Sequence, residues 1–379
     1  MTFFSAVILV GASLLFPTLP LRLVYPPAHR KIAQFCKTYF VRALLYAFMI
    51  LAPSDFVMSF SDADGVLLDP REYVSRDAAG RVNALRMPDM SVWISNHQIY
   101  TDWVYIWFLA YYANLQDHMF IVLKDSLRKI PIVGPGMELF HFIFLSRNWG
   151  MDRALMEEKL ADVAATNPEK LSLLIFPEGT NFSKNQYSKA TQFADKMKRP
   201  HPRHALLPRS TGLLFCLQSL EKNVPQLHIV DLTIAYTGTT SDGYPAEWFT
   251  IASQLITGVS PPMIHVHCEV IPVPDVVRIQ PHSDADEMQI KAQFEQWLFA
   301  RWEAKERLLA KFYEDGDFVS GAAAHSSRDE SGANQPFARW SIGTRSGWLD
   351  LAHQCLIFAG PAIVAGYGAL LCRAVNAVA

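Results

Sequence analysis

Two short β-type runs end abruptly in polar turns, and apolar helical patterns lie between such runs; this recurrence constrains the fold more than any other feature. Residues 91–95 (Ser-Val-Trp-Ile-Ser) close on Asn96-His97-Gln98, and a helical pattern runs over 102–115. Residues 171–176 (Leu-Ser-Leu-Leu-Ile-Phe) close on Pro177-Glu178-Gly179-Thr180. Two more β-type runs occupy 228–236 and 264–270. Further helical patterns span 151–165, with Met156, Leu160 and Val163 on one face, then 210–221 and 284–313. Strands alternating with helices predict an α/β fold with a mostly parallel central sheet. In such sheets, sites gather outside the carboxyl ends of the strands, so both polar turns are expected to face one cleft.

The turns carry chemistry. His97 and Asp102 are separated by four residues, and a histidine with a carboxylate partner can take a proton from an alcohol at neutral pH. Spacing alone is weak support. With 12 histidines, about half of such chains would show one His-x4-Asp by chance. The bland alternative is a capped turn in which Asp102 complements the dipole of the helix it opens. Glu178 places an acid at a sharp turn, where Gly179 permits unusual backbone angles and close approach by a ligand. Its alternative is a solvated turn carboxylate with Thr180 capping. Arg147 closes the apolar run 142–146 with a fork suited to phosphate, though such an arginine is more often ion-paired at the surface. Residues 184–209 hold Lys184, Lys189, Lys196, Lys198, Arg199, Arg203 and Arg209 against one acid, Asp195. This is either an anion-facing region or a solvated loop. His265 and His267 alternate on one strand with no third ligand at a defined spacing, so they read as structural and no metal site is expected. No GxSxG, HExxH, P-loop or complete GxGxxG is present.

Composition turns attention to membranes. Of 379 residues, 50% are hydrophobic and only 18% charged, below the roughly 25% of a typical soluble domain. A net charge of -2 gives no nucleic-acid signature. The five cysteines are scattered without CxxC spacing and read as reduced, mostly buried thiols. Residues 3–16 are almost wholly apolar and read as a segment that spans a bilayer or enters it at an angle; a cleaved signal peptide is the rival, opposed by the lack of a basic stretch before the run, and Arg22, Arg30 and Lys31 after it place the rest of the chain on the cytosolic side of a membrane. A second apolar run, 43–53, is too short to span and suits a re-entrant or interfacial helix. A third, 355–371, carries no charge and reads as a C-terminal anchor, with a buried core helix as the rival. Residues 319–336 nearly lack large apolar side chains and read as a linker. The expected organisation is a membrane-anchor region over 1–60, a globular domain over 61–318, a flexible linker over 319–346 and a transmembrane segment over 347–379.

Four blocks in order, Asn96-His-Gln-Ile-Tyr-Thr-Asp102, Phe144-Leu-Ser-Arg147, Phe176-Pro-Glu-Gly-Thr180 and Leu206-Leu-Pro-Arg-Ser-Thr-Gly212, resemble those of the glycerolipid (lysophospholipid) acyltransferases. The longer forms are most similar to the eukaryotic branch that remodels lysophosphatidylinositol and lysocardiolipin. The resemblance implies a glycerolipid acyltransferase-like core with N- and C-terminal membrane helices, placed in the endoplasmic reticulum membrane. It implies acyl-CoA as co-substrate with no bound cofactor, a lysophospholipid acceptor and a lipid bilayer as partners, and no nucleic acid. His97 would be the general base and Asp102 would orient it. Arg147, Glu178, Gly179, Thr180, Pro208 and Arg209 would line the substrates. Many members that use lysophosphatidic acid carry Arg directly after the Pro-Glu-Gly-Thr turn, whereas this chain has Asn181. That departure favours a phosphodiester lysolipid, such as lysophosphatidylinositol, with lysophosphatidic acid as the alternative acceptor, because Arg209 or Lys184 can compensate. Asn181-Phe-Ser183 is also a glycosylation sequon, expected to go unused on the cytosolic side. A reading of another class, a non-catalytic membrane scaffold on this fold, is opposed by the intact His97, Asp102, Arg147 and Glu178.

Overall fold

A computed structural model describes residues 16–146, 148–224, 226–279, 283–319 and 335–343. Its strands are β1 (Asp55–Ser61), β2 (Leu67–Leu68), β3 (Val74–Arg76), β4 (Val82–Leu85), β5 (Met90–Ser95), β6 (Met119–Lys124), β7 (Ile143–Leu145), β8 (Leu171–Ile175), β9 (His228–Tyr236), β10 (Met263–Pro272) and β11 (Ala338–Ser341). The main sheet has the order β11-β1-β10-β9-β5-β8-β6-β7, with β2 flanking β1 and β3-β4 forming a separate hairpin. From β9 through β5, β8 and β6 to β7 every pairing is parallel. β10 runs antiparallel to β9, and β1 follows β10 in parallel. The centre is therefore the parallel sheet that alternating elements predict, extended on one side by β10 and β1, which run in the opposite sense, and then by β11, antiparallel to β1.

Six longer helices cover the sheet: α1 (Pro26–Leu51), α2 (Asp102–Tyr112), α3 (Trp149–Thr166), α4 (Lys184–Met197), α5 (Ser210–Glu221) and α6 (Asp284–Asp315). Strand side chains alternate between two cores, as the period of two requires. On β9, Val230, Leu232, Ile234 and Tyr236 join the core beneath α1 and α2. Ile229 and Ala235 join the one beneath α3, α5 and α6. From Val104 to Tyr112 every residue of α2 is buried, which suits a helix that is apolar all round. It lies between the sheet and α1, where Phe48 packs edge-on against Tyr105 and Phe108 at 5.5 and 5.6 Å. Met156, Leu160 and Val163 form the buried face of α3, as their spacing predicts.

Several expectations need correction. The apolar run 43–53 does not form a helix of its own. Residues 43–51 are the last part of α1, and Ala43 to Phe48 are all buried, because the neighbouring apolar surface of α2 offers a better cover than an isolated helix could find. Part of the basic stretch 184–209 is helix α4 rather than loop. Within the linker limits 319–346, Ala338–Ser341 is a strand paired antiparallel with β1, so the sheet draws strands from both sides of 61–318. Among the described residues no helix is long and apolar enough to cross a membrane. The apolar runs 3–16 (but for Phe16) and 355–371 lie outside the described residues. His265 and His267 are buried and hydrogen-bonded to hydroxyls: His265 to Thr237 at 3.1 Å, His267 to Ser59 and Ser61 at 2.9 and 3.0 Å. Cys36, Cys216 and Cys268 are buried free thiols.

Candidate active site

β5 stops pairing with β9 at Ser95, opposite Leu232. The Ile234 backbone would then lack a partner, and the Asn96 side chain supplies one. Its amide donates to the Ile234 carbonyl at 2.9 Å and its oxygen accepts from the Ile234 N–H at 2.8 Å. A side chain thus completes the ladder, and the main chain is free to turn away at His97. Buried backbone groups must find such substitutes.

The turn then folds around the carboxylate that opens α2. Asp102 is fully buried, and its Oδ2 accepts from the Gln98 N–H at 2.6 Å, the Ile99 N–H at 3.0 Å and His97 Nδ1 at 2.7 Å. Its other oxygen, Oδ1, accepts from the Tyr236 hydroxyl. A buried carboxylate is tolerable only with partners of this kind. Burial, reinforced by the Asp102 charge, pushes the Tyr236 phenol well above its ordinary value, so it stays a donor. With Nδ1–H donated to Asp102, the free lone pair of His97 is on Nε2. Nε2 makes no hydrogen bond among the described residues, and the His97 side chain keeps 19% of its surface exposed. Phe176 stacks on the imidazole at 4.2 Å and fixes its plane.

The second polar turn lies against the first. Gly179 adopts φ +72°, which a side-chain-bearing residue resists, and its N–H closes the turn on the Phe176 carbonyl at 2.9 Å. The Phe182 N–H donates to the His97 carbonyl at 2.6 Å. The fourth block is tied to both: Arg209 N–H donates to the Pro177 carbonyl at 2.8 Å, and Gln98 Nε2 donates to the His204 carbonyl at 2.9 Å. Pro208 is buried in this segment, Thr180 is half-buried, and Arg209 is exposed with its side chain over Gly179. Glu178 is 3% exposed. Its Oε1 accepts from the Trp302 indole of α6 at 3.1 Å, while Oε2 has no hydrogen-bond partner among the described residues. Burial pushes its carboxyl well above the usual range, opposed in part by the Trp302 donor and the nearby His97 and Leu206 backbone amides. Asn181 is also buried, with its side-chain nitrogen unpartnered.

The residues expected at the site are thereby sorted. His97 and Asp102 are in direct contact. Glu178, Gly179, Thr180, Pro208 and Arg209 belong to segments tied to the His97 turn or to one another. Arg147 lies outside the described residues. Sequence reasoning missed Tyr236 and Trp302. Tyr236 had a signal, since it ends a predicted strand on the edge where sites gather; Trp302 had none, since one aromatic in a long helix reads as core. Chemically, the arrangement offers an exposed imidazole nitrogen that can accept a proton, backed by a buried carboxylate held by four donors.

Residues 83–237 match the family model described as Acyltransferase, a span that contains both polar turns and Tyr236. Over 273 residues the chain is 33% identical to 2-acyl-1-lysophosphatidylinositol acyltransferase of Saccharomyces cerevisiae, covering 64% of this chain and 66% of that protein. It is 30% identical over 307 residues to an uncharacterized acyltransferase of the same organism, covering 76% and 72%. With lysocardiolipin acyltransferase 1 of Gallus gallus it shares 34% identity over 233 residues, covering 60% of this chain and 55% of that protein. The chain thus spans just under two thirds of the first of these relatives and about half of the last.

Proposed function

The chain belongs to the acyltransferase family, and on that premise we propose that it is a membrane-bound acyl-CoA:lysophospholipid O-acyltransferase acting in phospholipid synthesis or remodelling. The observation that carries this reading is the His97–Asp102 pair: a buried, fully partnered carboxylate behind a partly exposed imidazole whose Nε2 makes no hydrogen bond among the described residues. His97 Nε2 takes the proton of the acceptor hydroxyl as the oxygen attacks the thioester carbonyl. The tetrahedral intermediate collapses, the carbon–sulfur bond breaks, and the imidazolium returns the proton to the departing coenzyme A thiolate. Asp102 stabilises the imidazolium and keeps the reactive tautomer. No acyl-enzyme is required.

Glu178 holds a buried, unpartnered Oε2 that serves the acceptor hydroxyl from behind the surface, and Gly179 allows close approach of the glycerol backbone. Thr180, Arg209 and the segment that holds Pro208 extend the substrate-binding surface, and Arg147 takes the role of a phosphate contact. Asn181, a neutral amide where many lysophosphatidic acid users have arginine, favours a phosphodiester headgroup such as that of lysophosphatidylinositol. The name of the first yeast relative, a 2-acyl-1-lysophosphatidylinositol acyltransferase, agrees with this choice. A second reading, lysophosphatidic acid as acceptor, draws on Arg209, whose exposed guanidinium arm lies over Gly179 and can replace the missing cation. The proposed location is the endoplasmic reticulum membrane, with the site on the cytosolic side. Coenzyme A release by the purified protein, with lysophosphatidylinositol and lysophosphatidic acid in competition, tests the reading. Preferential consumption of lysophosphatidylinositol is expected. Strong preference for lysophosphatidic acid would overturn the headgroup assignment, and no release with any lysolipid would overturn the enzymatic one.

A further inference from the structure

A cavity lined by cationic and apolar side chains lies at the end of the sheet opposite the candidate active site. It has a volume of about 200 Å³, and Arg30, Lys31, Gln34 and Lys37 of α1 face Phe120 and His141 across it. Asn167, which also lines it, precedes β8, whereas Glu178 follows that strand. At about 3.3 Å per residue, the five residues of β8 alone set the two places about 17 Å apart. Residues 30, 34 and 37 fall on one face of α1 by their i, i+4, i+7 spacing. Two of these, Arg30 and Lys37, are cations, Lys31 adds a third to the lining, and no carboxylate lines the cavity.

Lys37 is the telling member. It is 2% exposed, yet the only hydrogen bond its Nζ makes among the described residues is a long one, 3.4 Å, to the Asp117 carbonyl. The ammonium otherwise sits 3.8 Å from the centroid of the Phe120 ring. An ammonium has three donors, and buried ones are normally paired. Arg30 and Lys31 likewise make no ion pair among the described residues. Burial pushes the Lys37 ammonium down to about 7, opposed by Asp117, so an incoming anion would both restore its charge and fill its empty donors. His141, pushed down to about 4 by burial and by Lys37, adds a neutral imidazole. An adjoining hollow that shares Arg30 and His141 contains Glu158 and Asp162, so the all-cationic character is confined to the first cavity.

We propose that this cavity is a second anion site, shaped for a phosphate group, free or carried by a phospholipid headgroup. A tetrahedral oxyanion offers enough acceptors for a guanidinium fork, two ammonium groups and the Gln34 amide together. The volume admits it with a few waters, each taking about 30 Å³. The site is distinct from the acceptor-binding surface, and the binding readout below does not depend on acyl transfer.

The test uses the full chain in neutral detergent, with thermal unfolding followed in sodium phosphate and in sodium chloride of matched ionic strength. A second arm titrates dihexanoyl phosphatidylglycerol against dihexanoyl phosphatidylcholine. Lys37→Met and the double variant Arg30→Gln/Lys31→Gln are run alongside wild type; the first removes a buried charge and the second alters surface positions, so both are expected to fold. A ligand that binds only the native state raises the unfolding temperature. Phosphate is expected to stabilise wild type more than either variant, with binding to each variant at least about tenfold weaker. Saturation by the phosphatidylglycerol at lower concentration than inorganic phosphate assigns the site to lipid headgroups; a response to inorganic phosphate alone assigns it to free phosphate. No shift in wild type, or a shift of equal size in wild type and either variant, overturns the proposal.

Discussion

Replacing Asp102 by asparagine separates its electrostatic role from its structural one. The amide oxygen can still accept from the Gln98 and Ile99 backbone N–H groups and from His97 Nδ1, all of which now bond one carboxylate oxygen. The amide nitrogen then faces Tyr236, whose hydroxyl can turn to accept. Alanine would instead leave four buried donors empty, at about 1–3 kcal/mol each, and would confound folding with catalysis. What Asp102→Asn removes is the charge behind the imidazolium that forms as the acceptor hydroxyl is deprotonated. With Oδ2 and Nδ1 2.7 Å apart, the two charge centres lie about 4 Å apart. Two unit charges at about 4 Å attract by about 4 kcal/mol at an effective dielectric of about 20, or about 10³ in rate. The variant should therefore keep its unfolding midpoint and its acceptor KM while kcat falls about 10³-fold. Coenzyme A release under saturating acyl-CoA and lysophosphatidylinositol measures this. A kcat within tenfold of wild type, in protein of native stability, would refute the idea that Asp102 supports the imidazolium.

Three further outcomes follow from the same geometry. Tyr236→Phe removes one donor from a buried carboxylate and should cost about 1.5–3 kcal/mol in denaturant unfolding; unchanged stability would show that the hydroxyl does not serve Asp102. Glu178 has a native pKa raised by burial, so the folded chain holds its proton longer than the unfolded chain. Wild-type stability should then fall as pH rises above the ordinary carboxyl value of 4.5 towards the raised native one. Glu178→Gln lacks that dependence, so its stability relative to wild type should rise across this window in a pH series of unfolding curves; a difference independent of pH would contradict the burial argument. For Gly179→Ala, the new methyl would meet only ordinary contacts with Arg209 at 3.9 Å, so the expected loss of about 1–2 kcal/mol is conformational, from φ +72°. Equal stability of the two proteins would mean that the turn relaxes to another shape.

The elements that carry strong periodicity were legible in the sequence. β5, β8, β9 and β10 and the helices α2, α3, α5 and α6 fall close to where apolar pattern and turn chemistry place them. The His97–Asp102 contact also followed, because both residues lie in one local turn whose spacing closes on itself. What was hidden depends on long-range partners. β11 is a four-residue strand in a polar, glycine- and serine-rich stretch, and it is strand only because the edge of β1 is open to it. The run 43–53 has the composition of a membrane element, but composition does not distinguish lipid from the apolar flank of α2. Glu178 looked like a solvated turn acid and is buried, since Trp302 arrives from α6 more than a hundred residues later in the chain to bond it. Nothing in the local sequence marks Lys37 as buried, and the packing of Phe120 against it shows that it is.

The central claim is that His97 removes the acceptor's proton. It is tested most directly by acyl transfer from radiolabelled acyl-CoA to lysophosphatidylinositol in membranes containing equal amounts of wild-type and His97→Ala protein. The account predicts that the variant retains its place in the membrane and loses acyl transfer to the level of membranes without the protein. Turnover by the variant equal to that of wild type would contradict it.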